Sequence, residues 1–75
     1  MQLAVGKNCI PCKLLKTWLQ DNNITGIDLV DVEDNPDFVE KYDLKQTPSL
    51  VLDDDTVIAG LGAIQDYFDE EDNNE

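Results

Sequence analysis

Apolar residues along the 75-residue chain fall in short runs whose period changes from segment to segment. Leu3, Ala4 and Val5 follow Gln2 as a brief apolar run, consistent with an opening strand. Gly6–Lys7–Asn8 reads as a turn. Leu14, Leu15, Trp18 and Leu19 then recur at helical spacing, with Lys13, Lys16, Thr17 and Gln20 between them. These four form the apolar positions of the helix, with Trp18 expected in the core or half-buried at its edge. Pro11 suits the first turn of this helix, where a missing N–H has no partner to lose. Asp21–Asn22–Asn23 ends the helix, and Gly26 marks the connection that follows. Ile27–Val32 nearly alternates, with Ile27 and Leu29 apolar and Asp28 and Asp31 polar, as a strand does. Asn35 then offers a helix cap, Pro36 a first helical position, and Asp37 a charge suited to the positive end of a helix. Phe38, Val39 and Tyr42 give that short helix an apolar face.

The second half continues the mixture. Thr47–Pro48 precedes a strand over 49–52, and Asp53–Asp54–Asp55 reads as a solvated turn into a second strand over 56–59. Spacing this short makes a hairpin the natural pairing. Gly60 and Gly62 suggest a bend with unusual backbone angles, or room for a substrate backbone. Ala63, Ile64, Tyr67 and Phe68 then recur at helical intervals. The predicted order is β-α-β-α-β-β-α in one α/β domain over 1–75, with the acidic residues 69–75 expected to fray. A helical crossover makes the first two strands parallel and right-handed. The expected architecture is a four-stranded mixed sheet with about three helices packed on it.

Composition makes a small core feasible, since 41% of residues are hydrophobic. Charge adds a direction. Five lysines stand against 17 acids, for a net charge of −12. Residues 1–20 hold Lys7, Lys13 and Lys16 and no acid, so the opening segment is locally positive on an acidic protein. That acidity either keeps a small domain soluble or steers it to a basic partner. Nucleic acid is excluded as a partner, because phosphate contacts need clustered Lys or Arg and the chain has no Arg. No stretch approaches the roughly 20 apolar residues of a membrane span. The first residues lack a basic start and a long apolar run, so no membrane association and a cytoplasmic location are expected.

The candidate chemistry lies in Lys7–Asn8–Cys9–Ile10–Pro11–Cys12–Lys13. Structural zinc wants four ligands, commonly Cys and His, and the chain has two Cys and no His. No metal site is therefore assigned within one chain, although two chains sharing thiolates could hold a metal or an iron–sulfur cluster. A permanent staple gains little from so small a loop and is seldom found in a reducing compartment. Disulfide exchange fits better, because CxxC beside a strand–helix unit is the redox pattern. At a helix start, free backbone N–H groups and the helix dipole favour a Cys9 thiolate. Lys7 and Lys13 add positive charge, with no carboxylate nearby in sequence. Cys12 follows one turn later, on the same side and within reach of a mixed disulfide at Cys9. In this context Thr47–Pro48 can be read as a plain strand start, or as a cis proline in a turn that leaves the Thr47 backbone open to an extended substrate.

These motifs, together with the glycine segment 60–62, make the chain resemble a thioredoxin-fold redoxin of the smallest kind. It is close to the glutaredoxins and the glutaredoxin-like electron donors of ribonucleotide reductase. The resemblance covers nearly the whole chain and implies a minimal thioredoxin fold. By that resemblance Cys9 attacks, Cys12 resolves, and Pro48 carries the cis bond. Lys7, Ile10, Pro11, Thr47, Pro48 and Gly60 would contact substrate. Pro11, just before the second cysteine, follows the thioredoxin habit. The chain departs from glutaredoxins in Ala59–Gly60–Leu61–Gly62–Ala63, which lacks the acid that would hold glutathione's amine. It departs from thioredoxins in having Asn8 rather than Trp before the first cysteine. The expected function is a monomeric dithiol–disulfide oxidoreductase with no bound cofactor. Its electrons would come from thioredoxin reductase with NADPH or from glutathione, and pass to a disulfide in a partner such as ribonucleotide reductase. The alternatives are a dimeric metal or iron–sulfur carrier and a non-enzymatic adaptor that uses the acidic surface.

Overall fold

A computed structural model describes residues 1–72, with side chains through Glu70. Its elements run β1 (Gln2–Val5), α1 (Ile10–Asp21), β2 (Asp28–Asp31), α2 (Pro36–Lys41), β3 (Ser49–Val51), β4 (Val57–Ala59) and α3 (Leu61–Asp72). The expected β-α-β-α-β-β-α order and four-stranded mixed sheet are both present. Spatial order is β2-β1-β3-β4, with β1 parallel to β2 and the other two pairings antiparallel. No described helix is long and apolar enough to cross a membrane.

Register sets which residues reach the core. Leu3 lies opposite Leu50, and Leu50 opposite Ile58, so all three share one face of the sheet. Cys12, Leu15 and Leu19 of α1 and Ile64 and Phe68 of α3 join Leu3 and Leu50 in a single buried cluster. Trp18 is half-buried at its edge, its ring 6.3 Å from that of Phe68. On the other face Ala4 pairs with Ser49, and both are buried. The Ser49 hydroxyl donates to the Gln46 carbonyl at 2.6 Å, which satisfies it there.

Helix ends follow from short polar residues. In α1, Asn23 takes φ of 56° just past the cap, and the Asn23 and Ile24 N–H groups return to the carbonyls of Gln20 and Leu19. Asp43 and Leu44 close α2 the same way onto Glu40 and Val39. Both are Schellman closures, with Asn or Asp in the left-handed position glycine usually fills.

Several local expectations are corrected. Leu14 is 57% exposed, because α1 turns the Leu15–Leu19 stripe to the sheet and leaves Leu14 on its outer side. Leu29 sits in the register of Leu3 but is 54% exposed, since β2 is an edge strand. Asn35 precedes α2 without a side-chain cap bond; its amide donates instead to the Asp31 carbonyl at 2.8 Å. Gly60 has φ of 99°, whereas Gly62 lies inside α3 and shows no such angle. Residues 69–72 of the acidic segment belong to α3, and 73–75 lie outside the described residues.

Candidate active site

The chain leaves β1 at Val5, turns through Gly6–Asn8, and enters α1 with Cys9 as its N-cap. Cys9 is extended (φ −102°, ψ 106°), and Pro11 occupies the first turn. The cap atom is sulfur: the Cys12 N–H donates to Cys9 Sγ at 3.1 Å. A backbone donor at a helix N-terminus favours negative charge at that position. Thr47 Oγ1 donates to the same sulfur at 3.4 Å from the opposite loop. Cys9 and Cys12 are joined in a disulfide with their Cα atoms 5.2 Å apart.

The two sulfurs have unequal surroundings. Cys12 is 1% exposed and belongs to the core cluster, while Cys9 is only partly buried. Ile10 is 70% exposed and Pro11 is also exposed, so the first turn of α1 presents apolar surface beside Cys9. An open groove runs over this turn. Gly6 to Pro11 line it together with Val32, Glu33 and Thr47. Gly6 lies where the loops meet: a Cβ there would stand 3.4 Å from Cys9 Cβ and 3.5 Å from Thr47 Oγ1. A second groove, lined by Val39, Leu44, Lys45 and Gln46, shares Val32 and Thr47 with the first.

The Thr47–Pro48 peptide bond is cis. Thr47 is half-buried beside Cys9, and Pro48 is fully buried beneath it. Among the described residues, neither backbone group of Thr47 takes part in a backbone hydrogen bond. The Pro48 carbonyl accepts from the Gly60 N–H at 2.9 Å. The candidate residues therefore separate. Lys7, Ile10, Pro11 and Thr47 line the groove with Cys9, whereas Pro48 and Gly60 stand behind Thr47 and hold its loop.

The expectation of a purely positive setting is corrected. Lys7 Nζ lies 3.3 Å from Asp34 Oδ1 and 3.9 Å from Glu33 Oε2. The Asp34 hydrogen bond and the carboxylates of Asp34, Asp31 and Glu33 raise the Lys7 pKa above its ordinary value. These acids follow β2 in sequence, far from the cysteines. Parallel pairing places them: Val5 stands opposite Asp31, and two residues further on Lys7 reaches the level of Glu33. The Glu33 N–H donates to Asp31 Oδ1 at 2.8 Å, and the Val32 N–H to the Val5 carbonyl at 3.0 Å, which fixes that loop. Among the described residues, no group of three or more His, Cys, Asp or Glu side chains converges as a metal site would require.

A thioredoxin-domain family model matches residues 1–68 of this chain. The chain belongs to that family. It is similar to the glutaredoxin-like protein NrdH of Lactococcus lactis subsp. lactis (strain IL1403), at 34% identity over 50 residues. That alignment covers 63% of this chain and 68% of the relative. It also resembles the crystal structure of the thioredoxin-like protein BC3987, with a TM-score of 0.70 and 26% identity over 91% of this chain and 94% of that one. The crystal structure of a mutant of BC3987 gives a TM-score of 0.69, with 26% identity over 91% of this chain and 93% of that one. With its CxxC pair at the start of α1, this thioredoxin-domain protein is a glutaredoxin-like dithiol–disulfide oxidoreductase.

Residue-by-residue reading of this thioredoxin-domain protein missed Gly6, Asn8, Val32 and Glu33 of the groove and the Asp34 that pairs with Lys7. The signal for Glu33 and Asp34 was the parallel register of β1 and β2, which carries both loops to the same edge of the sheet.

Proposed function

We propose that the protein reduces disulfides of a partner protein, with Cys9 as nucleophile and Cys12 as resolving thiol. The carrying observation is their unequal burial at the start of α1: Cys9 meets the groove, while Cys12 is 1% exposed. The reduced Cys9 thiolate attacks one sulfur of the substrate disulfide, and the other substrate sulfur leaves as a thiolate. Cys12, as a thiolate, then attacks Cys9 Sγ and expels the first substrate sulfur. Two electrons pass to the substrate, which takes up two protons, and the Cys9–Cys12 disulfide remains. Thr47, whose backbone groups have no backbone partner among the described residues, offers an extended substrate segment a pairing edge beside Cys9.

Electrons come from a thioredoxin reductase using NADPH rather than from glutathione. Two observations support this: Ala59–Ala63 offers no acid for the glutathione amine, and Lys7 is engaged by Asp34 and Glu33. The acceptor is a reductase-type enzyme such as ribonucleotide reductase, in keeping with the chain's resemblance to the electron donors of that enzyme. The protein works as a monomer in the cytoplasm, where dithiols are kept reduced. Re-reduction of the oxidised protein by NADPH with thioredoxin reductase is expected to outpace re-reduction by glutathione. Faster reduction by glutathione contradicts the assignment of the electron source.

A further inference from the structure

The charges around the Cys9 groove bear on which disulfides it accepts. Lys7 and Glu33 are the charged side chains lining the groove. Lys7 is not a free cation: Asp34 Oδ1 lies 3.3 Å and Glu33 Oε2 3.9 Å from its Nζ, and Asp31 adds to the field it feels. One ammonium thus lies among three carboxylates, and the charge around Lys7 is net negative despite the lysine-bearing sequence around the cysteines. Val32 and Glu33 are held there by backbone bonds to Val5 and to the Asp31 side chain, so the acid does not swing away with a mobile loop. The molecule as a whole has the same sign, with 17 acids against five lysines.

We propose that Glu33 and Asp34 set the charge preference of the groove: the substrate segment that brings its disulfide to Cys9 carries Lys or Arg beside the reactive cysteine. The proposal rests on the dithiol reading above. An acidic residue at that place in the substrate is repelled by Glu33 in the groove lining and by Asp34 beside Lys7, and is disfavoured. A basic residue shares those carboxylates with Lys7. These groups are solvent-exposed, so the preference is modest in size and falls with salt.

Single-turnover reduction of three disulfide-linked peptides by the pre-reduced protein tests this. The peptides differ only in having Lys, Gln or Glu beside the cysteine. Each rate is divided by the rate with the Gln peptide, and these ratios are compared between the native protein and the Glu33→Gln/Asp34→Asn double variant. Division by the native value cancels the intrinsic effect of the flanking charge on the peptide disulfide. The Lys-to-Glu rate ratio is expected to fall about two- to five-fold in the double variant, the range an exposed charge interaction supplies. The Lys7→Met variant, which removes the opposing cation, is expected to raise the ratio. High salt is expected to shrink the ratio in the native protein. An unchanged ratio in the double variant, or a ratio that Lys7→Met lowers, overturns the charge assignment while leaving the dithiol mechanism intact. Failure of the native protein to reduce any of the three peptides overturns both.

Discussion

At the scale of the residue, the unequal exposure of Cys9 and Cys12 follows from one helical turn. Cys9 caps α1 and meets solvent, and its sulfur accepts a backbone N–H and a threonine hydroxyl. Cys12, three residues on, points into the cluster of Leu3, Leu15 and Leu50. The same turn separates two neighbouring leucines. Leu15 is fully buried and Leu14 is 57% exposed. Leu15→Ala is expected to cost about 2–5 kcal/mol of stability through lost transfer and a cavity. Leu14→Ala is expected to stay within about 0.5 kcal/mol, as exposed substitutions do. Urea unfolding of the reduced protein checks both; a Leu14→Ala loss as large as that of Leu15→Ala contradicts the orientation of α1. Sequence spacing groups both leucines with the core because a helical stripe read from period alone has an uncertain edge. Only the direction in which α1 meets the sheet decides which side of the stripe is wet.

At the scale of the element, the site is made where three connections meet: β1 to α1, β2 to α2, and the loop before β3. Order, type and approximate length of the elements were legible because each carries its own period and punctuation. So was the pairing of Cys9 and Cys12 with Thr47–Pro48, through resemblance to a redox family. The contribution of Glu33 and Asp34 was not legible from local pattern. It depends on β2 lying parallel to β1 in one register, a relation between segments 26 residues apart by the Val5–Asp31 pairing. The role of Gly60 was also indirect. Gly60 holds φ of 99° while its N–H binds the Pro48 carbonyl, so it braces the Thr47 loop from behind the groove. An added Cβ would meet Gln46 Nε2 at an ordinary 3.7 Å, so crowding is not the obstacle. The cost of Gly60→Ala is conformational, more than about 1 kcal/mol because Ala is poorly suited to positive φ. Thermal or urea unfolding of Gly60→Ala reads that loss; a variant as stable as the parent contradicts the backbone assignment at Gly60.

At the scale of the whole molecule, a net charge of −12 on a domain this small repels itself. Salt is therefore expected to raise the Tm from its low-salt value, the screening of like charges outweighing the loss of exposed pairs such as Lys45–Asp43. A Tm that falls steadily as salt is added contradicts this balance. Acid has an opposite, local effect at the β3–β4 turn. The Thr56 hydroxyl, and then its N–H at 3.0 Å, hold the Asp54 carboxyl below its ordinary value of 3.8. A depressed carboxylate pKa gives stability that is present above 3.8 and is lost as pH falls through the lower folded value. The same charge bears on function, because partners approach a domain that carries 17 acids against five lysines.

Attack by Cys9 and resolution by Cys12 are tested by intact mass analysis of Cys12→Ser and Cys9→Ser proteins, each reduced and then mixed with a disulfide-linked peptide. Cys12→Ser is expected to accumulate one peptide as a stable mixed disulfide at Cys9, while Cys9→Ser, left with a buried thiol, forms little adduct over the same time. An adduct that forms as fast on Cys9→Ser as on Cys12→Ser would contradict the assignment.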